Sequence, residues 1–257
     1  MQKCLQITKN ARPRTSIIYE PQGRAREYAE LAANLYRGCD HGCTYCYAPL
    51  ATRTNRESFH QPSVRNNVIE KFRHDAKELE RVGETRPILL SFTTDPYQHL
   101  DIKEKLTRKA IDTLHYHNLK VTILTKGGKR SERDFDLLTK RPELSEYGVT
   151  LVFINEEQRE EIEPFAASTY ERINSLKRAH NQGIRTYVSL EPVWEPKQTL
   201  KLIEMTSDFV DFYKVGKLNY HSQKANVDWR KFRIDVCKKL NDLGKNYYIK
   251  EDLKKFI

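Results

Sequence analysis

The sequence predicts a parallel α/β domain, and three observations carry the prediction. Short apolar runs alternate with amphipathic segments of helical period about six times along the 257 residues. Runs such as PILLSFTT and VTLVFI are apolar on consecutive positions, the pattern of strands covered on both faces. Single α/β domains of this length are routine. One domain is therefore expected over 1–257, with an irregular lead-in over 1–30, the α/β body over 31–246 and a tail over 247–257. An open doubly wound sheet and a full or partial barrel are both compatible with this rhythm.

The lead-in holds Arg12, Arg14, Arg24, Arg26 and two prolines without sustained periodicity, and is expected to wrap the body or touch a substrate. Residues 28–37 carry the first strand, ended by Gly38. A helix follows over 62–81, where Val68, Ile69, Phe72, Ala76 and Leu79 recur on one face. Residues 87–94 read as a buried strand, and 104–117 as a helix with Leu106, Ala110, Ile111 and Leu114 aligned. Then come a strand over 120–125, stopped by Gly127 and Gly128, and a short helix over 133–140. The next strand is 149–154, followed by an acidic run from Glu156 to Glu163 expected to be a solvated loop. A helix over 168–182 stops at Gly183, which suits the left-handed position after a helix end. The last units are a strand over 185–190, a helix over 196–207 opening on proline, a strand over 209–215 and a helix over 228–243.

In parallel α/β folds, ligand-contacting residues gather at the C-terminal ends of the strands. Those ends are the loop after the first strand, Thr93, Thr94 and Asp95, then Lys126, Asn155, Glu191 and the 216–219 segment. The first of these loops is chemically distinctive. Three of five cysteines, Cys39, Cys43 and Cys46, form a CxxxCxxC triplet within eight residues, with Tyr45 and Tyr47 beside the last. Three thiolates on one short loop can cap three irons of a cubane cluster and leave the fourth iron open to a small molecule. The alternative is a structural zinc site completed by His41 or His60, although zinc sites more often use paired CxxC or HxxxH spacing. Only Cys4 and Cys237 remain, too few for a second four-cysteine cluster.

Clustered cysteines point to metal rather than disulfides where thiols stay reduced. With no apolar leader at the start and no apolar run near the ~20 residues of a membrane span, a cytoplasmic protein without membrane association is expected. The formal net charge of +10 favours anionic partners, nucleic acid among them. The excess is spread out, however, with no long run of like charge.

Cys39, Cys43, Tyr45 and Cys46 together resemble the signature of the radical S-adenosylmethionine (SAM) superfamily, CxxxCxxC with an aromatic residue before the third cysteine. RGCDHGCTYCYAP, TDPYQ and ILTKGG are more narrowly similar to the DNA-repair-photolyase-like group that includes spore photoproduct lyase. The resemblance implies a partial (β/α)6 TIM-type barrel and a 4Fe-4S cluster held by the three cysteines, which cleaves SAM reductively to a 5'-deoxyadenosyl radical. Its expected partners are a nucleic acid substrate for repair or modification, and a reductant such as flavodoxin or ferredoxin. A peptide or small metabolite is the alternative substrate, and a zinc-stabilised nucleic-acid-binding module the non-enzymatic alternative. The resemblance also implies SAM contacts from Tyr45, Thr93, Thr94, Asp95 and Lys126, with Asn155 and Glu191 at later strand ends. It further implies hydrogen relay through Tyr45 or Tyr47. One departure stands out: where the lyase places a hydrogen-donating cysteine, a gapless match puts Phe92, leaving Tyr45, Tyr47, Tyr97, Cys4 or Cys237 as substitutes. Oligomeric state is not legible from the sequence.

Overall fold

The computed structural model describes residues 16–219, 221–222 and 226–257; Cys4, Arg12 and Arg14 lie outside them. In chain order the elements are β1 (Ile18–Tyr19), β2 (Leu31–Ala33), β3 (Tyr36–Arg37), α1 (Ala48–Ala51), α2 (Arg56–Phe59), β4 (Ser63–Val64) and α3 (Val68–Arg81). There follow β5 (Ile88–Leu90), α4 (His99–Glu104), α5 (Leu106–Tyr116), β6 (Val121–Thr125), α6 (Phe135–Leu138), β7 (Ser145–Thr150), α7 (Glu156–Ile162) and α8 (Thr169–Asn181). The chain ends with β8 (Arg185–Val193), α9 (Pro196–Thr206), β9 (Phe212–Lys217), α10 (Trp229–Asp242), β10 (Asn246–Ile249) and α11 (Glu251–Lys254).

The main sheet runs β1-β2-β5-β6-β7-β8-β9-β10. All its neighbours are parallel except β1 and β2, which pair antiparallel. Each parallel strand therefore lies beside the one that precedes it, with no reversal of direction across the sheet, and this order curls into an incomplete barrel rather than a doubly wound sheet. Alternation on the strands sorts the two faces. Val121 and Ile123 belong to the hydrophobic core, whereas Thr122 between them bonds Glu146 on the neighbouring strand at 3.2 Å. Against the apolar face pack Phe72, Ala76, Leu79, Ala110, Ile111, Leu114, Leu176, Leu202, Ile203, Phe232, Val236 and Leu240, all buried. Burial on this scale, roughly 1.5–3 kcal/mol for each large side chain, is what holds the helical layer on the sheet.

Helix starts follow local chemistry. Ser168 caps α8 in a reciprocal capping box with Glu171, Asp228 caps α10 by accepting from Lys231 N, and Pro196 opens α9. The expected strand over 28–37 is in fact two. β2 joins the sheet, while β3 leaves it and pairs with β4, so Ser63 sits in a strand and α3 starts only at Val68. The acidic run is not a solvated loop: Glu156–Ile162 is helix α7, capped by Asn155. The strand expected over 149–154 begins earlier and leaves the ladder at Thr150, and Leu151, Val152 and Phe153 continue as buried irregular chain.

The tail expected over 247–257 supplies a strand instead. β10 pairs with β9, Tyr247 opposite Tyr213 and Tyr248 opposite Lys214, and α11 follows. Residues 16–30 of the lead-in are held against the sheet at both its edges. Asp75 on α3 accepts from Ile17 N (2.6 Å) and Ile18 N (3.0 Å) at one edge of the sheet. At the other edge Glu27 Oε1 accepts from Tyr248 Oη (2.9 Å) and Glu251 N (2.8 Å), and Lys214 Nζ donates to Tyr28 O (2.7 Å). Residues 20–28 thus form a strap joining the β2 side of the barrel to β10, bridging by side chains the gap that strand pairing leaves open.

Candidate active site

The cysteine loop leaves β3 through Gly38, whose φ is +76°; a Cβ there would stand 2.4 Å from Phe59 O. That close approach lets Cys39 N donate to Phe59 O at 2.9 Å. Arg56 clamps the other end of the loop, donating to Cys43 O (3.0 Å) and Cys46 O (3.1 Å). All three cysteines are free thiols and line one cavity. Burial raises each of them, Cys43 to about 12 and Cys39 and Cys46 also above the ordinary thiol value. Thiols held this high are neutral, and a metal would have to deprotonate them on binding. Among the described residues, no group of three Cys, His, Asp or Glu converges as ligands of a single metal ion. His41 is engaged elsewhere: Nε2 meets Arg130 Nη2 at 2.9 Å and Nδ1 faces Asp95 at 3.5 Å.

The cavity, about 660 Å³, opens at the C-terminal ends of the six parallel strands β5 to β10. Its volume is in the range of cofactor and small-ligand sites. After β5, Asn34 Oδ1 accepts from Phe92 N (2.9 Å) and Thr93 N (2.8 Å), bending Ser91–Asp95 across the cavity wall. Asp95 is a tie as much as a wall: it accepts from Tyr97 N (2.8 Å), Thr125 Oγ1 (2.6 Å) and Lys126 N (2.7 Å). Burial alone would raise its carboxyl, but His41 and these donors outweigh burial and hold it below the usual range. Lys126 Nζ stands 5.6 Å from the Tyr45 ring centroid; burial would lower its ammonium, yet Cys43 and Glu163 nearby hold it above the usual lysine value. Three buried hydroxyls on this wall, Ser91, Thr94 and Ser189, have no hydrogen-bond partner among the described residues. Buried polar atoms are rarely left so, and these three are satisfied if a polar ligand occupies the cavity.

The family model of the Radical SAM superfamily matches residues 33–210. The chain belongs to the radical SAM superfamily. Membership in this superfamily implies SAM and an iron–sulfur cluster as cofactors. An uncharacterized protein of Methanocaldococcus jannaschii is 27% identical over 197 residues, 76% of this chain and 73% of that protein. Among solved structures, a spore photoproduct lyase variant with bound AdoMet and dinucleoside spore photoproduct matches at a TM-score of 0.68 and 14% identity, over 87% of this chain and 76% of that one. SuiB of Streptococcus suis bound to S-adenosylmethionine matches at 0.64 and 14% identity over 85% of this chain; the chain spans 49% of SuiB. At these identities the likeness is one of fold. In the described residues no helix is long and apolar enough to cross a membrane.

On this radical SAM barrel the expected residues sort into two groups. Cys39, Cys43, Tyr45, Cys46, Tyr47, Thr93, Thr94, Asp95, Lys126 and Glu191 all line the cavity. Asn155 does not. It is exposed and its Oδ1 accepts from Gln158 N as the cap of α7, because β7 ends at Thr150 and the strand end facing the cavity comes five residues earlier than the apolar run suggests. Phe92 does line the cavity, with its ring between Tyr28 (5.7 Å) and Tyr47 (6.0 Å). Of the candidate substitutes for a cysteine there, Tyr97 and Cys237 lie off the cavity and Cys4 is outside the described residues.

Sequence reasoning missed the far wall. Tyr28 Oη and Lys250 Nζ both donate to Glu191 Oε2, and Lys250 Nζ lies 2.9 Å from the Tyr28 ring centroid. Gly216 makes room for this group: a Cβ there would sit 2.6 Å from Glu191 Cδ and 2.9 Å from Lys250 Cδ. Burial lowers the Lys250 ammonium, with Glu191 offsetting part of the effect, and burial with Glu191 raises the Tyr28 phenol well above its ordinary value. Tyr28 opens the segment read as the first strand but stands in the strap, and Lys250 falls in the expected tail just after a strand not expected, so no strand end marked either.

Proposed function

We propose that Cys39, Cys43 and Cys46 hold a 4Fe-4S cluster at the mouth of the barrel and that SAM lies beside it, with hydrogen abstraction from a nucleic acid substrate as the outcome. One observation carries the reading: three free thiols from one short loop share a cavity with three buried hydroxyls that lack partners among the described residues and with Lys126. Three thiolates on one short loop can cap three irons of a cubane and leave the fourth open. When bound, the reduced cluster supplies one electron to SAM, giving methionine and the 5'-deoxyadenosyl radical that takes hydrogen from substrate. The remaining work falls to the chain's own residues. Lys126 would pair the SAM carboxylate and Thr93 and Thr94 would meet its ammonium. Asp95, already committed to three donors, would hold the Lys126 turn in place. Tyr45 would pack on the adenine and Glu191 would meet the ribose. The strap and α1 would keep water from the radical. A flavodoxin or ferredoxin is the proposed reductant, and the cytoplasm the proposed location.

Nucleic acid is preferred because the whole chain is strongly basic and because the lyase of similar fold is solved with a dinucleoside lesion. A specific observation favours the second reading, a peptide or small metabolite. The cavity itself is not basic, since Glu27, Asp95, Glu191 and Asp252 line it against Lys126, Lys217 and Lys250. Phosphates of a nucleic acid substrate would have to stay outside while a base enters. Of the two histidines offered to the zinc-module reading, His41 has both ring nitrogens engaged, whereas His60 Nε2 has no partner among the described residues, so metal content on reconstitution decides that reading.

Anaerobic reconstitution with iron and sulfide tests the chemistry: a brown protein that converts SAM to 5'-deoxyadenosine once reduced is expected. Stoichiometric zinc without SAM cleavage would sink the reading. Deuterium-labelled ultraviolet-damaged DNA then tests the substrate, and absence of label in 5'-deoxyadenosine turns the proposal to peptides and metabolites.

A further inference from the structure

Glu163 ends the acidic run after β7, and nothing in the composition of that run distinguishes it from its neighbours. The fold buries it completely, at 0% exposure. Oε1 accepts the Tyr45 hydroxyl, and Oε2 accepts Arg172 Nη2 at 2.6 Å. Arg172, also at 0% exposure, directs its other donors to Ala167 O (2.8 Å) and Thr150 O (3.1 Å). Both ions are thus satisfied inside the protein, an arrangement in which removing one partner strands the other. The same turn grips the cysteine loop through its backbone: Thr44 N donates to Ile162 O at 2.9 Å, and Phe165 N to His41 O at 3.2 Å. Glu163 itself does not line the cavity, whereas Tyr45 does.

We propose that Glu163 is the positioning residue of the cysteine loop. Backed by Arg172, it fixes Tyr45 so that the ring faces the cavity and the hydroxyl points behind the wall, and it anchors the loop to the end of α7. The two tyrosines flanking Cys46 then have different parts. The Tyr45 hydroxyl is committed to a buried carboxylate, while among the described residues the Tyr47 hydroxyl meets only Phe92 O at 3.4 Å. Tyr45 is thus the fixed tyrosine of the SAM pocket, and Tyr47 the less restrained one. The assignment of parts rests on the radical SAM reading of the cavity; the anchoring does not.

Hydrogen exchange on metal-free protein tests the anchoring. Glu163→Gln is expected to speed exchange across residues 39–47 by about tenfold, the scale of one charge-assisted hydrogen bond, with α3 and α5 unchanged. Because that variant leaves Arg172 unpaired, Tyr45→Phe is the second: it deletes one hydroxyl and keeps the ion pair whole. Its exchange over 39–47 is expected to rise in the same direction. In reconstituted protein its KM for SAM should rise about tenfold, with kcat for 5'-deoxyadenosine formation within about twofold. Unchanged exchange in both variants overturns the inference, and so does a fall in kcat at unchanged KM, which would give the Tyr45 hydroxyl a part in the chemistry. Wild-type protein that cleaves no SAM counts against the radical reading alone, since the exchange result decides the anchoring without it.

Discussion

The two ends of the cavity are built in opposite ways. At the cysteine end, three candidate ligands and two tyrosines come from nine consecutive residues, and the loop that carries them hangs outside the strand core on β3 and β4. At the strap end, Tyr28, Glu191 and Lys250 are separated by 163 and 59 positions and meet only once the barrel has formed. The first end can lose a side chain with the barrel intact. The second is part of the closure of the barrel, so its chemistry and the stability of the fold share the same atoms. Reactivity written in local spacing is separable from the fold, and reactivity assembled by topology is not.

The sharpest way to break this contrast is at the cysteine end. Cys43→Ala should abolish iron uptake on reconstitution, measured as iron per polypeptide, while costing less than about 1 kcal/mol in urea unfolding, because it removes one small atom from a loop. Loss of cooperative unfolding in that variant would mean the loop is part of the core and the two ends are alike.

At the strap end the converse is expected. Lys250→Met leaves Glu191 and Tyr28 without their cation and should destabilise the protein by about 3 kcal/mol, the lower part of the range for breaking a buried pair, since the Glu191 side chain keeps 15% exposure. Adding Glu191→Gln to Lys250→Met should recover most of that loss, because the amide oxygen still accepts from Tyr28 and no charge is stranded. Additive destabilisation in the double variant would show that the three groups are neighbours without being coupled.

The same division explains how much was legible beforehand. CxxxCxxC with its aromatic neighbour needs no fold to be recognised, and Thr93, Thr94, Asp95, Lys126 and Glu191 were found because apolar runs end just before them. Ser168 and Asp228 were legible as helix starts because capping is local chemistry. β10 was not, since four residues of NYYI with two half-buried tyrosines carry little strand signal until β9 lies beside them. Asn155 was misplaced because buried irregular chain and buried strand share one apolar pattern. Glu163 was hidden among like charges: composition reports the average of a run, and only the placement of Arg172 decides which carboxylate turns inward.

The smallest expected effect concerns protons at the strap end, where only the direction is predicted. Burial holds the Lys250 ammonium below the ordinary lysine value, although Glu191 on β8, Glu27 in the strap and Asp252 after β10 each oppose it. At neutral pH the lysine is charged in both folded and unfolded chains, and the penalty for burying that charge is present in full. As pH rises through the lowered folded value toward about 10.4, the folded chain releases its proton first, so the unfolded state binds more protons and stability rises with pH. Lys250→Met cannot show this gain, and the buried Lys214 ammonium, which Lys250 helps to lower, is lowered less in that variant and so acts in the same direction. The difference in urea midpoint between wild type and Lys250→Met should therefore widen steadily from pH 7 to about 10. A constant or shrinking difference would mean that Lys250 titrates as an ordinary surface lysine, and that the strap end is as separable from the fold as the cysteine loop.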